Sequence, residues 1–129
     1  MKELQFPHER RLIWKALSEL YLDTELQDSD FRDIVSILLK SPFTFEEIRG
    51  IDQYEVFPVL FFNLLNPAGQ WAGFEEERLV KNILSWLGSR SQLDIFALKC
   101  VYPIYEPINR SYWKKLEEIY NQSDESGYR

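Results

Sequence analysis

Apolar residues recur at intervals of three and four positions along almost the whole chain, which is the spacing of one face of an α-helix. Ile13, Leu17 and Leu20 show this spacing near the N-terminus, and Leu116 and Ile119 show it near the other end. No stretch alternates apolar and polar residues as a half-buried strand does. The sequence therefore predicts an all-α fold, a compact bundle of six or seven short helices.

Capping residues, glycines and prolines divide this pattern into helices. Asp28 or Ser29 is available to cap the second helix, and Thr44 with Glu47 has the spacing of a capping box. Gly50 and Gly88 are expected to end helices because glycine favours the position after a helix C-terminus. The predicted helices span about residues 7–22, from the cap at 28 or 29 to 40, 45–49, 52–65, 75–87, 91–101 and 109–120.

Prolines and a second acidic pair modify this outline. Asp52 and Glu55 repeat the capping-box spacing and are expected to begin the most apolar helix. Pro58 falls inside that helix and should bend it or wind it irregularly near Tyr54, because proline lacks a backbone N–H. The stretch 103–107, bounded by two prolines, is predicted to be extended or turn-like.

The length of 129 residues indicates one domain, with residues 121–129 as a frayed polar tail. One cysteine forms no internal disulfide, and Cys100 with His8 is too small a set for a zinc site. Cys100 lies in an apolar run, which is typical of an inert packed thiol. We predict no metal site and no cofactor.

No export signal is visible at the N-terminus, so the cytoplasm is the expected compartment. Residues 56–74 carry no charge over 19 positions, a length that would cross a membrane. Prolines, glycines and amides interrupt that stretch, and only 56–62 is continuously apolar. We therefore expect a buried core helix and no membrane partner.

Acidic residues are concentrated in one quarter of the chain. Residues 23–55 contain nine acids and three bases. The net charge of this segment is therefore −6, the same as that of the whole chain. A chain with a negative net charge is repelled by the phosphate backbone of nucleic acids, so nucleic acid is not an expected ligand. Such a patch steers a basic protein partner, although caps and solvated loops explain the same residues equally well.

The chain lacks the motifs of common enzymes. It contains no glycine-rich phosphate loop and no His-Glu-x-x-His pair, and His8 has no nucleophile beside it in the sequence. Carboxylate pairs alone occur in any acidic chain of this size. We therefore predict that the protein is not an enzyme and has no catalytic residues.

Three runs carry a resemblance to a small bacterial family of uncharacterised single-domain proteins. They are 11–25 (RLIWKALSELYLDTE), 55–65 (EVFPVLFFNLL) and 68–74 (AGQWAGF). The resemblance covers about residues 10–87 and implies no activity, so it transfers no functional residue. In size, acidity and helix content the chain is also similar to the helical immunity proteins that neutralise bacterial toxins, without a shared motif.

These features lead to the hypothesis of a non-catalytic immunity protein or antitoxin that covers the active cleft of a basic toxin domain, such as a nuclease. The anchors would be aromatic, because rim charges mainly raise the association rate. Trp71 lies between two glycines and either plugs the core, the favoured interpretation, or anchors the partner. The predicted partner-binding residues are Asp23, Glu25, Asp28, Asp30, Asp33, Glu46, Glu47, Asp52, Tyr21, Tyr54 and Trp71.

An alternative is an adaptor subunit unrelated to toxins, which would use an apolar surface around residues 56–74. Solvent exposure of Phe57, Phe61, Phe62 and Trp71 as one patch would favour this alternative. The oligomeric state does not follow from either hypothesis.

Overall fold

The computed structural model of the chain describes residues 6–21, 26–65 and 76–125, and the side chains of these residues except 62–65 and 124–125. Six α-helices occur in these ranges, and no strand does, which confirms the all-α fold. A 3-10 turn, Glu19–Tyr21, follows the first helix, and a π-helical turn, Asp52–Val56, joins the third to the fourth. The helices are α1 (Pro7–Ser18), α2 (Asp28–Lys40), α3 (Phe45–Ile51), α4 (Phe57–Leu65), α5 (Glu76–Ser89) and α6 (Gln92–Glu125).

Side-chain caps begin three of these helices. The Thr44 hydroxyl accepts the Glu47 N–H at 3.1 Å and the Glu47 carboxylate accepts the Thr44 N–H at 2.8 Å, which confirms the predicted capping box. Ser91 and Asp94 form the same arrangement before α6. The N-cap of α2 is Gln27, and the expectation of Asp28 or Ser29 was wrong, because the Asp30 carboxylate reaches back to the Gln27 N–H.

The helices α3 and α4 are joined without a break through the π-helical turn. The predictions that a helix ends at Gly50 and that another begins at Asp52 were therefore wrong. The irregular winding predicted at Pro58 is confirmed, because the π-helical turn includes Tyr54. If α3 and α4 are counted as one continuous helix, the described residues form five helices, fewer than the six or seven predicted.

The helix α6 is continuous for 34 residues, so the predicted extended stretch 103–107 was wrong. Pro103 and Pro107 lie on its solvent-exposed side, where water can bond backbone carbonyls that prolines leave unpaired. The opposite side is held by the core, where Tyr102 and Tyr105 pack against Phe57 with ring centroids 5.0 and 4.9 Å apart. The helix also continues through residues 121–125, which were predicted to fray.

The core lies between α1, α2, the π-helical turn, α5 and α6. The apolar stripes predicted on α1 and α2 are buried, as are Leu79 and Ile83 of α5. Trp14 of α1 and Trp113 of α6 are the largest fully buried side chains. None of the described helices has the length and apolar content that a bilayer crossing requires.

Candidate functional site

The π-helical turn carries a carboxylate that is completely removed from solvent. Asp52 has an exposed fraction of 0 % and accepts hydrogen bonds from the Tyr21 hydroxyl at 2.8 Å and the Tyr102 hydroxyl at 3.2 Å. Tyr21 belongs to the 3-10 turn that follows α1, Asp52 to the π-helical turn and Tyr102 to α6. Asp52 therefore links three parts of the fold from within.

Burial controls the protonation of this carboxyl. Removal from water raises the pKa of Asp52 to about 7, although the two tyrosine hydroxyls and the nearby Arg49 charge favour the ionised form. Burial and the Asp52 carboxylate together raise the pKa of the Tyr21 hydroxyl well above its usual value, so Tyr21 stays a donor. No substrate reaches Asp52 in this conformation because the side chain has no exposed surface.

The second acid of the turn, Glu55, is held by residues of α1. Its carboxylate accepts a hydrogen bond from Arg10 Nη1 at 2.6 Å and another from Trp14 Nε1 at 2.7 Å. The Arg10 and Glu55 side chains are 13 % and 12 % exposed, so this ion pair is largely shielded from water. Glu55 therefore fastens the π-helical turn to α1.

The backbone of the turn is also held by side chains. Proline lacks an N–H, so Pro58 cannot bond the Tyr54 carbonyl as residue i+4 of an α-helix would. That carbonyl instead accepts hydrogen bonds from Trp86 Nε1 of α5 at 2.8 Å and from Nη1 of Arg90, the residue after α5, at 3.1 Å. The Tyr54 carbonyl oxygen of the irregular turn therefore has hydrogen-bond donors from outside the turn.

These contacts correct the predicted acidic face. Asp52 and Glu55 face inward, where the tyrosines, Arg10 and Trp14 bind them, and they do not begin a helix. Asp28 is exposed and lies 3.3 Å from Lys115 of α6, so a base partly compensates it. Glu46 and Glu47 are exposed on α3, a different helix from that of Asp28. The acids between residues 28 and 55, which the structure describes, are therefore not gathered onto one outward surface.

The three predicted aromatic anchors differ in how the structure describes them. The prediction that Tyr21 anchors a partner was wrong, because Tyr21 is only 6 % exposed and its hydroxyl donates a hydrogen bond to Asp52. Tyr54 is half-buried, and its backbone rather than its ring makes the hydrogen bonds described above. Trp71, Asp23 and Glu25 lie outside the described residues.

A smaller acidic surface remains between α1 and α2. Glu19, Asp30 and Asp33 line a groove there with a single base, Lys15. We call this surface the acidic groove; its apolar lining comprises Ala16, Ile34 and Ile37. The sequence analysis did not select Glu19, because this residue lies outside the acid-rich residues 23–55. It lines the same groove as Asp30 and Asp33 only once α1 packs on α2.

An exposed apolar surface occurs on α6, where none was predicted. Leu93 and Phe96 are 75 % and 64 % exposed, and Ile104 and Ile108 are 78 % and 68 % exposed. Cys100 lies among them and is exposed, so its interpretation as a packed thiol was wrong. We call these five residues the α6 face. The three- and four-residue spacing of these residues was the sequence signal from which this face could have been predicted.

The apolar surface predicted around 56–74 is not found where the structure describes that stretch. Val56, Phe57 and Leu60 are fully buried, and Phe61 stacks on Phe57 at 5.0 Å between ring centroids. The side chain of Phe62 and all of Trp71 lie outside the described residues. The helix is apolar because it is core.

Within the ranges that the structure describes, no three His, Cys, Asp or Glu side chains are grouped so that they could hold a metal ion. The carboxylates of the turn are bound by tyrosine, tryptophan and arginine donors instead. The geometry thus favours a structural role for the internal acids and leaves the acidic groove and the α6 face as candidate binding surfaces.

Comparison with known proteins identifies a family and no characterised relative. No curated protein and no solved structure matches the chain. The model of the family described as Domain of unknown function (DUF7079) matches residues 8–119, a longer stretch than the 10–87 expected from the three runs. The match begins in α1 and ends in α6, and the chain therefore belongs to this family.

Proposed function

We propose that the chain is a non-catalytic protein-binding domain that inhibits a basic partner, in the manner of an immunity protein or antitoxin. The observation that carries the proposal is the acidic groove, where Glu19, Asp30 and Asp33 surround an apolar lining with only Lys15 to offset them. The net charge of −6 has the same sign. Lysine or arginine side chains next to an apolar residue complement such a groove.

The two parts of the groove have different roles in this proposal. Carboxylates at the rim accelerate encounter with a positively charged surface, while Ile37 offers apolar contact; Ala16 and Ile34 are already buried, so most of the apolar burial that gives affinity comes from surface next to the groove. A tight inhibitor buries roughly 800 Å² on each partner, which exceeds one groove between two helices. The partner therefore also covers neighbouring exposed parts of α1 and α2.

The experiment is isolation of the partner by co-purification from the native host, followed by measurement of association rates. A Glu19→Lys/Asp33→Lys variant should associate at least 10-fold more slowly at low salt, and the difference should shrink as salt screens the charges. Glu19 and Asp33 are chosen because Asp30 also caps α2. An inhibited toxin activity measured with the purified partner identifies the inhibitor role.

The matched control reverses two acids outside the groove. Glu117 and Glu118 are exposed on α6, and Glu117→Lys/Glu118→Lys changes the net charge by the same amount. Equal slowing by the two double variants would mean that only net charge matters, and it would contradict the groove. A partner without a basic surface would contradict the inhibitor proposal as a whole.

The adaptor alternative is kept because of the α6 face, which replaces the surface around 56–74. A large exposed apolar patch on a water-soluble domain indicates a binding surface. The expectation that nucleic acid is not a partner belongs to the same proposal and rests on the acidic composition.

A further inference from the structure

The helix α6 is apolar on two opposite sides over residues 93–108. One side packs in the core through Leu98, Tyr102 and Tyr105, and the other is the α6 face. A surface helix ordinarily carries charges on its solvent side, and a helix that is apolar all round is ordinarily buried. The charged residues of this stretch, Asp94, Lys99 and Glu106, fall on the flanks between the two sides when placed at 100° per residue.

The α6 face exposes enough apolar surface for its burial to stabilise a complex. Its residues span about 22 Å at 1.5 Å per residue. Its four large side chains, each about two-thirds or more exposed, present on the order of 400–500 Å² of apolar surface, near the upper end of what monomeric proteins expose in one patch. Ala97, Pro103 and Pro107 are also exposed and add apolar area between them. A contact between two helices covers only part of this surface, so the interface is smaller than the roughly 800 Å² per partner of a standard complex, which is consistent with a dimer that forms only at micromolar concentrations or above.

We propose that the α6 face binds the α6 face of a second copy of this chain, with the two helices antiparallel about a two-fold axis. The absence of charge on the face carries the choice of occupant. Two copies with a net charge of −6 repel each other wherever acids meet, and the α6 face contains no acid. The three- and four-residue spacing forms a ridge that interdigitates with its own symmetry mate.

The flanking charges fit the antiparallel direction. Lys99 and Glu106 lie seven residues apart, two helical turns, on the same flank of α6. In an antiparallel pair the same flanks of the two helices meet, as in an antiparallel coiled coil. Lys99 of each copy is then level with Glu106 of the other when the two-fold axis passes between residues 102 and 103, and the opposite charges lie at the edge of the contact, about 120–140° around the helix from the centre of the α6 face. Glu106 already orients Arg110 at 3.1 Å, so the flank is a small charge network.

The test is sedimentation velocity of the full chain between 1 and 500 µM. The wild-type chain should pass from monomer to dimer in this range. Ile104→Glu places two carboxylates in the interface and should raise the dissociation constant at least 100-fold. Ile104 is 78 % exposed in the monomer, so circular dichroism and the melting temperature measured at 1 µM, where both proteins are monomeric, should stay unchanged. Leu12→Glu, at an exposed leucine of α1, is the matched control and should leave dimerisation intact.

A charge exchange tests the antiparallel register. Lys99→Glu alone should weaken the dimer, and Lys99→Glu/Glu106→Lys should restore it, because each new pair forms across the interface. A chain that stays monomeric at 500 µM would overturn the proposal, even if another protein binds the α6 face. A dimer that survives Ile104→Glu would overturn the assigned surface, and failure of the double variant to recover would overturn the antiparallel register. None of these outcomes depends on the acidic groove.

Discussion

At the scale of single residues, Asp52 shows why an acid-rich segment is a weak guide to an acidic surface. The spacing of Asp52 and Glu55 is that of a capping box, and the same spacing serves equally well to aim two carboxylates inward from an irregular turn. The difference lies in the donors, Tyr21, Tyr102, Arg10 and Trp14, which are distant in sequence. Local patterns therefore predicted the cap at Thr44 correctly and misassigned Asp52.

The elevated pKa of Asp52, about 7, makes stability depend on pH. Between about pH 4 and pH 7 the folded chain holds a proton on Asp52 that the unfolded chain releases. Protonation therefore stabilises the fold most below about pH 4, and this contribution is lost as the pH rises through 7. The slope from Asp52 is at most about 1.4 kcal/mol per pH unit.

Asp52→Asn should remove this slope, because an amide keeps hydrogen bonds to the tyrosine hydroxyls and does not titrate. Urea unfolding at pH 5, 6, 7 and 8 measures the free energy of unfolding of both proteins. The stability advantage of the wild type over Asp52→Asn should fall by about 2 kcal/mol between pH 5 and 7 and then level off. Parallel pH curves would show that Asp52 is ionised throughout.

The two buried tryptophans form a matched pair at this scale. Trp14 Nε1 donates to the Glu55 carboxylate, whereas Trp113 Nε1 has no acceptor among the described residues and its ring lies 5.0 Å below the Arg49 guanidinium. Both Trp→Phe changes lose similar volume, so their difference reports mainly the Trp14 hydrogen bond, together with the weaker Arg49 contact and the removal of the Nε1 donor at position 113. Trp14→Phe should cost about 1.5–3 kcal/mol more than Trp113→Phe in urea unfolding. Equal costs would show that the Trp14–Glu55 bond contributes nothing net.

At the scale of elements, prolines were interpreted correctly in one helix and wrongly in another. The irregular winding at Pro58 followed from its missing N–H and its place inside an apolar helix. Pro103 and Pro107 have the same missing group, but both lie on the exposed side of α6, and the aromatic contacts of the other side hold the helix through them. Which side of a helix a proline faces depends on packing, which the sequence pattern alone does not contain.

The role of Pro58 predicts an energetic coupling to Trp86. In the wild type, Trp86→Phe removes a donor from the Tyr54 carbonyl and should cost about 1 kcal/mol. In a Pro58→Ala background residue 58 regains an N–H that can bond that carbonyl, so the same change should cost at least about 0.5 kcal/mol less. Trp113→Phe is the control and should cost the same in both backgrounds. A Trp86→Phe cost that is independent of residue 58 would contradict the compensation.

At the scale of the whole molecule, the fold separates its charges from its exposed apolar surface. The described acids between residues 28 and 55 are divided between the internal turn, the first turns and caps of α2 and α3, and the acidic groove, while α6 presents an uncharged side to solvent. The fold class and the stripes of α1 and α2 were predictable because amphipathic periodicity is local. The exposed side of α6 was not, since an apolar pattern does not say which of two apolar sides faces the core.

The central claim, that the α6 face is exposed in the monomer and covered by a second copy, is tested most directly by the alkylation rate of Cys100. It is the single cysteine of the chain and lies in the middle of the α6 face. At 1 µM a maleimide should react with it nearly as fast as with the unfolded chain, and at 500 µM at least 10-fold more slowly. A thiol protected at both concentrations, or equally reactive at both, would contradict the claim.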